Sequence, residues 1–120
     1  MATVDISGET FQDIITKNDI VIVDFWAEWC GPCKSFAPTY ETVSEQHEDI
    51  VFGKVDTEAE QELGGHFQIR SIPTLMIFRE EVVLFSQAGA LGATQLNELI
   101  AKVRSVDMKD VHAEIAKQAK

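Results

Sequence analysis

Cysteine is scarce in this chain: its 120 residues contain two, Cys30 and Cys33. Two cysteines cannot staple a secreted disulfide scaffold, and the N-terminus lacks the basic region, apolar core and small-residue cleavage site of a secretory leader. The cytoplasm is the expected compartment. Long hydrophobic runs are missing too; those near Ile20 and Thr74 have strand length and fall short of the roughly 20 residues a bilayer demands, so no membrane partner is expected. Positive charge is thin. Ten Lys and Arg against twenty Asp and Glu give a formal net charge of −10, which argues against nucleic acid, because a phosphate backbone attracts basic faces. The acids serve a solvated surface or steer the chain toward a basic partner. The three histidines, His47, His66 and His112, are isolated and no second cysteine pair exists, so a zinc site lacks its ligands and no metal or organic cofactor is expected. No repeat, low-complexity tract or second domain is visible, and a monomer is expected.

What is present centres on the cysteines. A chain of this length buries well over half of its unfolded surface without a covalent staple, which leaves the pair free for function. Ile20-Val21-Ile22-Val23-Asp24-Phe25-Trp26 is a near-continuous apolar, β-branched and aromatic run, as in a strand covered on both faces. Phe36, Tyr40, Val43 and His47 then recur at a helical period, placing Cys30 and Cys33 at a helix N-terminus beyond the strand. Unpaired amides and the helix dipole favour a thiolate there, and only the thiolate attacks. Cys30 is expected to be the exposed nucleophile and Cys33 the resolver. Gly31 permits a tight turn, Pro32 suits a first helical position, and Lys34 adds positive charge. Asp24 interrupts the apolar strand; a buried carboxylate is costly unless neutralised or paired, although on an edge strand it could point outward.

In chain order, Thr3 to Ile6 suggests a short strand, and Ser7 or Gly8 can cap a helix carrying Phe11, Ile14 and Ile15. The helix after Cys33 contains Pro38, which should kink it, and is expected to continue to about Glu48. Ile50 to Asp56 suggests another strand, followed by a short helix from Glu58 to Leu63 that Gly64-Gly65 would end. Thr74 to Phe78 and Val82 to Gln87 form an antiparallel hairpin across Arg79 to Glu81. Leu96, Leu99, Ile100 and Val103 mark a helix, and Met108, Val111, Ile115 and Ala119 mark one more amphipathic segment. The latter could pack on the domain, fray, or bind a partner. The order β, α, β, α, β, α, β, β, α predicts an α/β fold, with a mixed sheet of about five strands and helices on both faces.

Trp29-Cys30-Gly31-Pro32-Cys33-Lys34, within Asp24 to Lys34, resembles the active-site signature of the thioredoxin family, for which a Cys-x-x-Cys pair near a βαβ pattern is a known mark. Arg70-Ser71-Ile72-Pro73-Thr74 is similar to the family's cis-proline segment, and Gly89-Ala90 to the glycine beside its substrate groove. The resemblance covers roughly residues 3 to 105, so the domain is set at 1–105 and 106–120 is taken as a C-terminal helical extension rather than a second domain. It implies the thioredoxin fold and a general protein-disulfide reductase, in which Cys30 attacks a target disulfide and Cys33 resolves the mixed disulfide. Asp24 would be a buried acid passing a proton to and from Cys33, with Lys54 as its basic neighbour. A cis bond at Pro73 would turn the backbone of Ile72 and Thr74 toward the sulfurs. Trp29, Gly31, Pro32, Ile72, Gly89 and Ala90 would make an apolar docking patch, while Trp26 is assigned mainly to the core.

The implied partners are disulfide-containing proteins and a thioredoxin-reductase-type flavoprotein, with NADPH used only indirectly. The chain departs from the family at Arg79-Glu80-Glu81, where the hairpin turn usually has a glycine, and at Gln68, where a glycine is common. Either a type I′ turn strains Glu81 by roughly 1 kcal/mol, or the loop adopts another form. Gly31-Pro32 resembles the reducing members; the alternatives are a thiol oxidase or isomerase of the same fold, or a non-catalytic clamp subunit.

Overall fold

A computed structural model describes residues 2–118. The elements run β1 (Thr3–Asp5), α1 (Phe11–Lys17), β2 (Ile20–Trp26), α2 (Gly31–Ser44), β3 (Val51–Asp56), α3 (Gln61–His66), β4 (Thr74–Arg79), β5 (Val82–Ala88), α4 (Ala93–Ser105) and α5 (Met108–Gln118). They build one five-stranded sheet in the order β1-β3-β2-β4-β5. β2 pairs parallel with β3 and antiparallel with β4, which makes it the centre of a mixed sheet.

Side chains alternate along β2 and both faces are covered. Ile20 and Ile22 join Phe36, Tyr40 and Val43 of α2 and Leu96, Ile100 and Val103 of α4 in one core. Val21, Val23 and Phe25 join Ile15 of α1, with Leu63 and Phe67 packed alongside, in the other. The same alternation turns Asp24 toward the α2 face, so the edge-strand alternative does not hold: Asp24 is 1% exposed, in the central strand. Close packing also fixes Gly53, where a Cβ would collide with the Ile6 side chain.

Several boundaries differ from the expected ones. α1 starts at Phe11, after a turn in which the Ser7 hydroxyl accepts from the Thr10 amide at 3.2 Å and the Ser7 carbonyl accepts from Phe11 N–H at 3.0 Å. α2 stops at Ser44 instead of reaching Glu48, because the chain tightens into i→i−3 turns from Gln46 to Val43 and His47 to Ser44. His47 keeps its apolar neighbour from outside the helix, stacked on Phe52 with ring centroids 6.3 Å apart.

The short acidic helix is displaced, and Gly64-Gly65 lie inside it. The Asp56 carboxylate accepts from Glu58 N–H at 2.9 Å and holds the residues before Gln61 as a turn. The helix ends instead at His66, and Gln68, just past the cap residue Phe67, takes a left-handed backbone with φ 56°. Gln68 N–H donates to Gly65 O at 3.0 Å and Ile69 N–H to Gly64 O at 2.9 Å, the paired bonds of a Schellman termination.

Arg79 belongs to β4 and pairs with Val82, leaving Glu80-Glu81 as a two-residue turn. Both residues have positive φ, 51° and 69°, so the strained form expected of a type I′ turn is the one adopted. Glu81→Gly is therefore expected to stabilise the fold by about 0.5–1 kcal/mol, seen as a melting temperature a few degrees higher. An unchanged or lower midpoint would show that the turn carries no such strain.

α5 docks at the end of the sheet opposite the C-terminal end of β2. Met108 is buried, and His112 Nε2 lies 2.8 Å from Glu80 Oε1 at the hairpin turn. Arg79 Nη1 donates to the carbonyls of Val103, Arg104 and Val106 at 2.8, 3.2 and 3.0 Å, tying the α4–α5 junction to the sheet. The frayed-tail alternative is thereby set aside for the described part of the helix. Ile115 stays 44% exposed, and Ala119 lies outside the described residues. None of the described helices is long and apolar enough to cross a membrane.

Candidate active site

The C-terminal end of β2 leads into a short loop through the buried Ala27 to the 70% exposed Trp29, and then to Cys30, the N-cap of α2. Cys30 keeps an extended backbone (φ −87°, ψ 110°) and its sulfur accepts from Cys33 N–H at 3.2 Å. That satisfies one of the amides a helix start leaves unpaired, and it aims the positive end of the helix at sulfur. Cys30 and Cys33 form a disulfide, with their Cα atoms 5.3 Å apart.

The upstream cysteine is not the exposed one. Both residues are 3% exposed, because Cys30 folds back over the first turn of α2 while the loop before β4 covers it, its Ile72 carbonyl oxygen 3.7 Å from Cys30 Sγ. The exposed rim consists of Trp29, Gly31 and Pro32.

Across the sulfurs, the Ile72–Pro73 peptide is cis. The Thr74 hydroxyl donates to Ser71 O at 2.5 Å, and Gly89 N–H donates to Pro73 O at 2.8 Å from a backbone at φ +112°. A residue with a Cβ rarely adopts that φ, so a glycine is needed here and not only tolerated. Pro73 and Thr74 are buried, Ile72 is half-buried, and Gly89 and Ala90 are exposed. Ile72 is thus partly exposed beside Cys30, and Gly89, tied to Pro73, is followed by the exposed Ala90.

Beneath α2, Asp24 Oδ1 has no hydrogen-bond partner. Burial pushes the Asp24 carboxyl up to about 7, against a weaker downward pull from the Lys54 charge. A carboxyl that titrates near neutrality can both hold and release a proton under ordinary conditions. Tyr40 of α2 points down onto the sheet, its hydroxyl 3.0 Å from Ile22 O and 2.8 Å from Gly53 O. Burial, and then the Asp24 charge, push that hydroxyl's pKa well up.

Lys54 stands directly across from Asp24 on β3. Among the described residues, however, Asp24 takes part in no ion pair, and the Lys54 ammonium lies over the Trp26 ring, 4.7 Å from its centroid. Trp26 is therefore not simply a core residue: it is half-buried and carries a cation on its face. Its place two residues beyond Asp24 on the same face was readable from strand alternation. Glu58, whose Oε1 accepts from Trp29 Nε1 at 3.2 Å, gave no such signal because it lies in an irregular turn.

A disulfide capping a helix, a cis-proline loop across from it and a buried titratable acid below define a protein-disulfide oxidoreductase. Comparison with known proteins agrees. The Thioredoxin family model matches residues 2–104, and the chain belongs to the thioredoxin family. It is 51% identical over 117 residues to Putative thioredoxin 2 of Streptomyces coelicolor, covering 98% of this chain and 87% of that one. Among solved structures, Plasmodium falciparum thioredoxin is 39% identical at TM-score 0.76, covering 83% of this chain and 97% of its own. A mutant thioredoxin from Halobacterium salinarum is 31% identical at TM-score 0.80, covering 88% and 93%. At 98% coverage the Streptomyces match extends over most of α5, beyond the family model's last residue. The chain is accordingly a thioredoxin disulfide reductase, acting on disulfide-containing protein targets.

Proposed function

We propose that the reduced protein passes two electrons to target disulfides by the following sequence. Cys30 thiolate attacks one sulfur of the target bond; that bond breaks, a mixed disulfide forms, and the other target sulfur departs as a thiolate and is protonated. Cys33 then gives its proton to the Asp24 carboxylate. The new thiolate attacks Cys30 Sγ, the target's second sulfur leaves, and the Cys30–Cys33 disulfide closes. Lys54 tunes how readily Asp24 holds that proton. The observation that carries this assignment is the Cys30–Cys33 bond at the N-terminus of α2, with the Cys33 amide aimed at Cys30 Sγ.

Trp29, Gly31, Pro32, Ile72, Gly89 and Ala90 are proposed to receive the target, with the backbone around Pro73 and Thr74 offering main-chain groups to an extended segment. Recognition through main chain and a small apolar patch admits many sequences. Domain 1–105 holds every residue of the site, with 106–120 as its appendage, and one copy of the chain suffices. The cytoplasm is the proposed compartment, since a dithiol that must stay reduced belongs with a reducing glutathione pool. No bound cofactor is invoked; a flavoprotein reductase drawing on NADPH would re-reduce the disulfide.

Insulin reduction tests both halves. With dithiothreitol as donor, catalytic amounts of the protein should speed the appearance of insulin chains, and the absence of any acceleration would overturn the reductase assignment. With NADPH and a thioredoxin-reductase-type flavoprotein in place of dithiothreitol, turnover should continue; failure of this arm alone would overturn the recharging route.

A further inference from the structure

Lys54 has a choice of neighbours. On its own face of the sheet it is flanked by Asp24 on β2 and Asp5 on β1, both in direct register. Trp26 is the diagonal neighbour, two residues beyond Asp24, since Trp26 pairs with Asp56; long side chains reach such diagonal positions. Asp5, Trp26, Lys54, Asp56 and Glu60 line one open cleft of about 290 Å³. Three carboxylates thus stand around this cleft and a fourth lies buried beside it, yet among the described residues Lys54 forms an ion pair with none. Its ammonium rests on the indole face instead. The attraction of a cation to an aromatic quadrupole is strongest for Trp and costs the ammonium little of its hydration, whereas pairing inside with Asp24 would strip it.

We propose that Trp26 is a positioning residue, whose indole face holds the Lys54 ammonium at the cleft and off the Asp24 carboxyl. Asp24 Oδ1 is thereby left unpartnered and free to take the Cys33 proton. Lys54 acts on it from one strand away, as a charge and not as a bonded partner. The part about turnover rests on the proton role proposed for Asp24; the part about Lys54 placement does not. The groups facing Asp24 in this arrangement are Lys54 from β3 and Tyr40 from α2, while Asp5, Asp56 and Glu60 face Lys54 across the cleft.

The test is the titration of the Asp24 carboxyl carbon by NMR in the oxidised protein, alongside the pH profile of insulin reduction. In Trp26→Leu the ammonium loses its platform and moves to Asp24, so the carboxyl should titrate about one pH unit lower, and the turnover profile should move with it. In Lys54→Met the carboxyl should titrate higher than in the parent protein. Adding Trp26→Leu to Lys54→Met should then change the midpoint by less than about 0.3 of a pH unit, because the cation that the indole positioned is gone. An unmoved or raised midpoint in Trp26→Leu overturns the proposal. So does an equal fall in both backgrounds, which would mean that the indole acts by keeping water out. Should Trp26→Leu not fold, Trp26→Phe, a weaker cation platform, is expected to give about half the fall, and no fall overturns the proposal. Because the carbon resonance reports on Asp24 whether or not it serves in turnover, an Asp24→Asn variant with an unaltered pH profile would remove the proton role without deciding the Lys54 placement.

Discussion

Asp24→Asn is expected to be more stable than the parent protein at pH 8, by on the order of 2–4 kcal/mol, and slower as a reductase. The sign follows from linkage. The folded-state carboxyl titrates near 7 and the unfolded one near 3.8, so between those values the folded state binds more protons than the unfolded state. Stability therefore falls as pH rises through that window, and the whole penalty is present above about pH 7. A neutral amide of the same shape does not incur it. Below pH 3.8 both states carry a neutral carboxyl and the advantage of the variant should vanish. Urea unfolding at pH 4 and pH 8 checks this, and equal midpoint differences at the two values would sink it. In the proposed sequence Asp24 takes the Cys33 proton, and losing a base in that role is typically worth about 10²-fold or more in rate. It should be largest near neutrality and shrink toward pH 9, where solvent deprotonates Cys33 on its own. Reduction rates that match the parent across pH 6 to 9, a span of about three units chosen to bracket a group near 7, would exclude Asp24 from the mechanism. A residue retained at a cost in stability fits a group kept for function.

Cys30→Ser should lose reductase activity by about 10³-fold or more, while Cys33→Ser should still attack once and then stop. A serine hydroxyl at position 30 cannot form a mixed disulfide. With serine at position 33 that disulfide forms and persists, because no second thiolate is there to displace the target. Mass spectrometry after mixing with an oxidised target should find the covalent adduct on the Cys33→Ser protein and none on Cys30→Ser. The reverse pattern would make Cys33 the nucleophile. Exposure does not discriminate here, since the two residues are equally buried. The electrostatics do: the Cys30 sulfur is the one that receives a backbone N–H at the helix start, and a thiolate so placed is stabilised relative to a thiol.

Much of the fold was legible because its signals are local. The alternation of β2, the helical spacing of Phe36, Tyr40 and Val43, and the apolar series from Met108 to Ile115 each reflect geometry within a few residues. Boundaries were less legible where side chains bond the backbone. Asp56 holds a turn that delays α3, and Gln68 supplies a left-handed termination that two available glycines do not. Ser44 was a foreseeable end for α2 only if the tight turns at Gln46 and His47 were known.

Sequence alone determined the redox pair and its chemistry, since a two-residue spacing at a strand-to-helix junction brings two sulfurs together whatever surrounds them. It also determined the order of elements and suggested a further helix after the family's own limit. Tertiary structure decided the state of Asp24, the perch of Lys54 on Trp26 and the burial of both cysteines. Those depend on how much water and charge remain around a group once distant strands and helices close over it. Spacing along a chain fixes which atoms can bond; solvation, set by segments far apart in sequence, fixes which of them hold a proton.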